Sequence, residues 1–263
     1  MITGAAILPH SPLLIESIGK EQTALLAKSL ASIEALAQII KTQNPDTLLI
    51  ISQHGTAYAD AFSINLNEPY RANLEEFGDF GTTFSFTPDP QTTYRIARYN
   101  RSSGTPVNLD TDSNLSYGFG IPAHLLQREG LNFNLIPLAP SAQPPKTLFE
   151  FGQGLREILE ESSKRFFIIA AGDLSHKLDA DSPGGFSESG AEFDETIQVA
   201  LAEKNSVKIL QLDPKTVEAA AECLHSPLLI LLGVLDKTAY TPQMLSYEAP
   251  FGVGYLVANF SLN

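Results

Sequence analysis

Residues 165–177 read RFFIIAAGDLSHK: a continuous apolar run, then a glycine, a short polar turn and a histidine. The run is rich in β-branched and aromatic residues and is too short for a helix of its own. It therefore predicts a strand that is covered on both faces of a sheet. His176 would then lie just beyond the carboxyl end of that strand.

The same order of apolar run and histidine occurs twice more. Residues 2–10 read ITGAAILPH and residues 46–54 read DTLLIISQH, so His10 and His54 each follow a predicted strand. In open α/β sheets, ligands bind outside the carboxyl ends of the strands, where loops converge above a rigid sheet. We therefore predict that His10, His54 and His176 share one pocket.

Helical patterns alternate with the predicted strands. Residues 21–42 repeat apolar side chains at helical spacing between the first two strands, which predicts a β-α-β unit with a parallel, right-handed crossover. Residues 70–90 are interpreted as an excursion that caps the pocket, and the glycine-rich acidic loop 179–189 as a lid or part of an entrance. Because no linker, repeat or low-complexity segment divides the chain, we predict one α/β domain over residues 1–263.

Charge and composition narrow the function classes. A net charge of −13 and 17 scattered basic residues argue against nucleic-acid binding, which needs clustered Lys and Arg. The longest apolar run, residues 227–235, is too short to cross a bilayer, so no membrane span is expected. The single cysteine, Cys223, excludes an intrachain disulfide, and no signal-like segment precedes the first strand, so we expect a cytoplasmic protein.

Two neutral imidazoles and one carboxylate form a facial triad, which binds Fe(II) and leaves positions open for substrate and dioxygen. Our candidate carboxylate is Glu222, which lies between two predicted helices among apolar neighbours and so needs a partner or a metal. Two alternatives stay open: Glu222 could cap the helix that follows it, or Cys223 could be the ligand in its place, because a thiolate binds Zn or Fe well.

The remaining histidines have simpler interpretations. His124 and His225 fall on helical patterns, where packing or a surface position is the expected role. A free cysteine beside apolar residues, such as Cys223, is most often part of a core. Any one histidine after a strand is usually a loop residue whose hydrogen bonds are satisfied. The repeated placement of His10, His54 and His176 is what favours function.

Five motifs in order along nearly the whole chain resemble the LigB superfamily, that is, the class III extradiol ring-cleavage dioxygenases and their Memo-like relatives. The motifs are PHSPLLI at 9–15, SQHG at 52–55, GDLSHKL at 172–178, AECLHSPLLILLGVL at 221–235 and PFGVGYLVA at 250–258.

The resemblance implies an α/β fold with a mixed, largely parallel central sheet and helices on both faces, associated into homodimers. It implies a non-haem Fe(II), with Zn(II) as the alternative, held by His10, His54 and Glu222, and His176 as the acid/base. The partners would be O2 and a small aromatic, catechol-like substrate, as in the breakdown of aromatic compounds. An imidazole suits the acid/base role because it titrates near neutral pH.

One position departs from the pattern of ring-cleaving members, which carry the motif D-H-G-x-x-x-P. Residues 116–122 read SYGFGIP, so Tyr117 takes the place of a second active-site histidine. A tyrosine donates a hydrogen bond but is a poor base at neutral pH, because its pKa is about 10. His124 is a candidate substitute if its helix turns it inward. The departure keeps two alternatives open: a Memo-like binding or regulatory protein without oxygenase turnover, and a zinc-dependent hydrolase.

Overall fold

The strands form one mixed sheet whose order in space differs from their order in the chain. The computed structural model describes residues 1–104 and 106–263. Within these residues the strands are β1 (Ile2–Leu8), β2 (Thr47–Ile51), β3 (Phe62–Asn65), β4 (Tyr70–Leu74), β5 (Asp79–Pro88), β6 (Val107–Asp110), β7 (Asn134–Ala139), β8 (Phe166–Ala171), β9 (Tyr240–Glu248) and β10 (Tyr255–Leu262).

Parallel strands make the centre of the sheet, in the order β7-β2-β8-β1. The antiparallel strands β10 and β9 extend the sheet beyond β1, and β5 and β4 extend it beyond β7. The short strands β3 and β6 branch from β7. The prediction of an α/β fold with a mixed, largely parallel central sheet is therefore confirmed.

Helices connect these strands. They are α1 (Glu16–Gly19), α2 (Ala27–Gln43), α3 (Pro90–Ser103), α4 (Tyr117–Arg128), α5 (Pro145–Glu160), α6 (Glu188–Ala202), α7 (Ser206–Leu210), α8 (Pro214–Ala220) and α9 (His225–Leu235). The segment predicted as one helix over 21–42 is a 3-10 helix, Lys20–Leu26, followed by α2. Helix α2 ends at Gln43 and is capped by Asn44, which has a left-handed φ of 42° and precedes a proline that cannot continue the helix.

Both faces of the sheet are covered by helices, as predicted. Alternate residues of β8 point to opposite faces: Phe166 and Ile168 pack with α5 and α9, whereas Phe167 and Ile169 pack with α2 and α4. All the residues of β8 are fully buried. Burying each large apolar side chain contributes about 1.5–3 kcal/mol, so the central strands form a rigid base for the loops at their ends.

One helical stretch of the described residues, Glu16–Gln43, is 28 residues long and is, by length and composition alone, apolar enough to cross a membrane. Its residues Ile33, Leu36 and Ile40 are buried in the protein core against the sheet. These apolar positions therefore serve the packing of α2 against the strands.

Candidate functional site

The register of three parallel strands brings the predicted histidines together. Ala170 of β8 pairs with Ile7 of β1 on one side and with Ile51 of β2 on the other. The three strands therefore end at the same edge of the sheet, and His10, His54 and His176 follow these ends. All three histidines line one cavity of about 610 Å³, a volume in the range of small-molecule sites.

Three donor atoms in this cavity lie close enough to hold one metal ion. The ligand atoms of His10, His54 and Cys223, here called the metal cluster, all lie within 4.8 Å of one another. The His10 Nε2 is 3.1 Å from the Cys223 Sγ, and the rings of His10 and His54 have centroids 4.7 Å apart. Imidazole and thiolate are the usual ligands of zinc and also suit iron.

Asp173 contacts two members of the metal cluster, His10 and Cys223. Its Oδ1 accepts the backbone N–H of His10 at 3.1 Å, and its Oδ2 lies 3.6 Å from the His10 Nδ1. Its own N–H donates to the Cys223 Sγ at 3.2 Å, and its carbonyl accepts the N–H of Cys223. A carboxylate in this position orients an imidazole so that its other nitrogen faces a metal.

Two glycines permit the close approach of these loops. A Cβ on Gly172 would lie 2.7 Å from the Cys223 carbonyl oxygen and 2.8 Å from the Leu224 Cα. A Cβ on Gly118 would lie 2.9 Å from the Cβ of His54. Any side chain at Gly172 would push the Cys223 loop away from β8, and one at Gly118 would push the start of α4 away from His54.

Protonation in the cavity suits metal binding. Burial, together with a smaller effect of the neighbouring histidines, lowers the pKa of His10 to about 3 and that of His54 to about 4. Both imidazoles are therefore neutral at pH 7 and keep a lone pair for a ligand. Burial raises the pKa of the Cys223 thiol well above its usual range, so a metal would have to displace that proton.

Unsatisfied polar atoms also point to a missing partner. Among the described residues, the Nδ1 atoms of His10 and His176 are buried without a hydrogen-bond partner. Buried polar side-chain atoms are satisfied in most proteins, so such atoms inside a cavity need an explanation. The fit to a bound transition metal rests on the N/N/S donor set itself, two neutral imidazoles and a thiol whose ligand atoms lie within 4.8 Å of one another.

Tyr117 lies at the first position of α4, where Ser116 caps the helix and Gly118 lets the helix approach His54. Its hydroxyl is 3.1 Å from the His54 Nδ1, and Phe77 meets its ring edge to face at 5.0 Å. Burial raises the pKa of Tyr117, so its hydroxyl stays protonated and can donate a hydrogen bond at neutral pH.

Glu222 lines the same cavity but is not part of the metal cluster. Its Oε2 accepts the backbone N–H groups of Leu224 at 2.6 Å and His225 at 2.5 Å, which caps the start of α9. Burial raises the pKa of Glu222 to about 7, partly offset by these two hydrogen bonds. Its predicted role as a metal ligand stays a prediction, and the adjacent Cys223 provides the donor atom nearest to His10.

His176 lies on a loop that is held by residues outside the cavity lining. The preceding N–H of Ser175 donates to Asp194 Oδ1 at 2.8 Å, and the Tyr247 hydroxyl donates to Asp194 Oδ2 at 2.7 Å. We call Ser175, Asp194 and Tyr247 the loop cluster. Burial raises the pKa of Asp194 to about 6 despite these two hydrogen bonds.

The other two histidines lie outside the lining of the cavity. His124 stacks on Phe84 with centroids 3.9 Å apart, so it does not replace the histidine missing at Tyr117. His225 is buried, and its Nε2 lies 3.0 Å from the carbonyl oxygen of Ile209.

No role for Asp173 was predicted from the sequence. A signal was present, because Asp173 lies two residues beyond the end of β8 in the GDLSH motif, where strand ends deliver functional groups. No individual role was predicted for Phe77 either, which lies between β4 and β5 and lines the cavity.

Comparisons with known proteins agree with the fold and with the motifs. Residues 4–258 match the family described as the catalytic LigB subunit of aromatic ring-opening dioxygenase. Protein CA_C1420 of Clostridium acetobutylicum is 26% identical over 97% of this chain and 56% of that protein, so the chain spans about half the length of this curated relative. The crystal structure of an uncharacterized protein, JW3007 from Escherichia coli K12, has a TM-score of 0.69 at 15% identity and covers 98% of this chain and 99% of that one. This second likeness concerns the fold alone.

Proposed function

Because the chain belongs to the LigB family, we propose that it is a metal-dependent dioxygenase that opens a catechol-like aromatic ring with O2. The observation that supports the proposal best is the metal cluster at the carboxyl ends of β1, β2 and β8. Its donor atoms lie within 4.8 Å of one another inside a cavity large enough for a small aromatic compound.

We propose Fe(II) as the metal, with His10, His54 and Cys223 as its ligands. Cys223 takes this role rather than Glu222 because its Sγ lies 3.1 Å from the His10 Nε2, whereas Glu222 uses Oε2 to cap α9. When bound, the metal supplies Lewis acidity to the catechol hydroxyls and a coordination position for dioxygen.

The side chains of the chain itself have separate roles. His176 lines the cavity beside the metal cluster, and we propose that its imidazole accepts the second catechol proton. The hydroxyl of Tyr117 lies 3.1 Å from the His54 Nδ1 and stays protonated at neutral pH. It can therefore donate a hydrogen bond but does not act as a base. Asp173 fixes the backbone of His10 through the hydrogen bond from its N–H, and its second oxygen lies 3.6 Å from the ring Nδ1.

A second candidate is a zinc-binding protein with the same site but without oxygenase turnover, either a Memo-like binding or regulatory protein or a hydrolase. The thiol of Cys223 in the metal cluster favours this candidate, because structural and catalytic zinc sites commonly combine Cys and His ligands. A zinc-filled site that binds no catechol would support it.

We also propose a cytoplasmic homodimer that binds neither nucleic acid nor membranes. The net charge of −13 supports the first exclusion, and the single cysteine supports a reducing compartment. The mass of the purified protein in solution tests the dimer.

The test of the reaction begins with protein purified without oxygen and analysed for bound iron and zinc. Addition of a panel of catechols and then oxygen should give the yellow colour of a ring-opened product. The variant His176→Ala should keep its iron and lose turnover by about 100-fold or more, the usual contribution of a general acid/base. Iron-loaded protein that binds catechols but gives no product would contradict the proposal, and equal metal loss in His176→Ala would show that its role is misassigned.

A further inference from the structure

The lining of the cavity includes a buried polar part at the metal cluster, here called the inner part, and a set of half-buried apolar side chains, here called the outer part. The inner part contains His10, Asp173 and Cys223, each less than a tenth exposed. The outer part consists of half-buried apolar side chains, which face both the cavity and the solvent: Leu13, Ile18, Phe77 and Phe251. A ring bound by its two hydroxyls at the metal cluster would point its substituents toward this outer part.

Beyond the charge of the proposed metal, the side chains of the described cavity lining offer no positive charge to a ring substituent. In the part of the chain that the structure describes, no lysine or arginine lines the cavity, whereas the carboxyl groups of Asp173 and Glu222 do. An ionised group that leaves water without a counter-charge loses its hydration and gains little in return. The net charge of −13 adds a general repulsion of anions.

The apolar outer part of the lining, from here on called the rim, is in contact with residues of the site. Phe77 meets the ring of Tyr117 edge to face at 5.0 Å, and Tyr117 in turn lies 3.1 Å from the His54 Nδ1. The outer part also includes Ile18 on α1 and Leu13 in the preceding 3-10 turn. An aromatic surface so close to the metal cluster favours an uncharged ring substituent that can pack against it.

We infer that the substrate is a catechol with an uncharged, apolar ring substituent, and that catechols carrying a ring carboxylate are rejected. This inference rests on the proposed function, since it assumes that the hydroxyls bind at the metal cluster. Phe77, Ile18 and Leu13 are then the specificity-determining residues, because they meet the part of the ring that differs between the two substrate classes.

The test measures binding without oxygen, using the iron-loaded protein and calorimetry. Methylcatechol carries an apolar substituent, and its dissociation constant should be lower than that of protocatechuate, which carries a carboxylate, by about 100-fold or more. This difference is expected when an ionised group is left unpaired. Equal binding, or tighter binding of protocatechuate, would overturn the inference, as would no binding of either compound.

A pair of variants sharpens the measurement. Ile18→Arg would add a cation at the rim and should narrow the ratio of the two dissociation constants to about 10-fold or less. The matched variant Ile18→Gln adds polarity without charge and should leave the ratio near the wild-type value. Equal narrowing in both variants would show that charge is not what the rim selects.

Admitting oxygen afterwards separates this inference from the proposed reaction. Selective binding of methylcatechol without ring-opened product contradicts the reaction and leaves the substrate preference supported. Product from both compounds with equal dissociation constants supports the reaction and contradicts the preference.

Discussion

Two buried carboxylates next to the loop that follows β8, Asp173 and Asp194, have different partners. Burial raises the pKa of each to about 6. Asp194 accepts hydrogen bonds from Ser175 and Tyr247 with both of its oxygens. Asp173 accepts one from the backbone of His10, while its other oxygen stays 3.6 Å from an imidazole nitrogen that has no hydrogen-bond partner among the described residues.

The difference indicates that the loop cluster stabilises the fold, whereas the metal cluster is open to a ligand. A buried polar network whose members are all satisfied stabilises one arrangement of the chain. The metal cluster instead presents three neutral donor atoms within 4.8 Å of one another in the lining of a cavity, where they are open to a ligand. We therefore expect changes in the metal cluster to affect binding more than stability, and changes in the loop cluster to do the reverse.

The largest effect is expected in the metal cluster. His54→Ala removes a ligand and should lower metal affinity by more than about 100-fold, judged from the smaller losses caused by residues behind a ligand. The unfolding temperature of the metal-free protein should change little, because His54 is only half-buried. The measurements are metal content after dialysis and thermal unfolding.

The matched control for His54→Ala is His124→Ala, because His124 stacks on Phe84 outside the cavity lining. This variant should keep its metal. Comparable metal loss in both variants would mean that the metal binds elsewhere.

A smaller effect is expected in the loop cluster. Asp194→Ala leaves the Ser175 N–H and the Tyr247 hydroxyl without their acceptor and should lower the free energy of unfolding by about 2–4 kcal/mol. The folded fraction should still bind one metal ion. Denaturant unfolding and metal titration measure the two results. An unchanged free energy of unfolding together with loss of metal binding would mean that the loop cluster serves binding and not stability.

The smallest effect comes from Asp194→Asn, which keeps an acceptor for Ser175 but removes the charge. Because burial raises the pKa of Asp194 to about 6, the folded protein holds this proton more tightly than the unfolded chain. Its contribution to stability is therefore present below about pH 4 and is lost as the pH rises through about 6. In the wild type, this group should lower the free energy of unfolding by about 1–3 kcal/mol between pH 4 and pH 7. Denaturant unfolding at the two pH values should show no such decrease in Asp194→Asn. Parallel pH curves for the two proteins would contradict it.

The strand ends were predictable from the sequence because the central strands are buried on both faces. Such strands are continuous apolar runs, so their ends at His10, His54 and His176 are visible in the sequence. Parallel pairing then brings the ends to one edge, as the register of Ala170 with Ile7 and Ile51 confirms.

The third donor of the metal cluster was not predictable in the same way. Glu222 and Cys223 are neighbours, and which side chain faces His10 depends on the turn between α8 and α9. That turn contains Ala221 in a left-handed conformation, with φ 51°, which its sequence does not indicate. The burial of Asp194 was not predictable from the sequence either. Its partner Tyr247 is on β9, and the closely packed Gly254 lies in the turn between β9 and β10, both far along the chain from Asp194.

The most direct test of the metal cluster compares Cys223→Ala with Glu222→Gln in metal titrations followed by absorption of the cobalt-substituted protein. We expect Cys223→Ala to lose the thiolate-to-cobalt absorption band and to bind metal more than about 100-fold more weakly than the wild type. Glu222→Gln, which can still cap α9, should keep both the band and the affinity. A wild-type protein without that band, together with metal loss in Glu222→Gln and retention in Cys223→Ala, would contradict the account and make Glu222 the ligand.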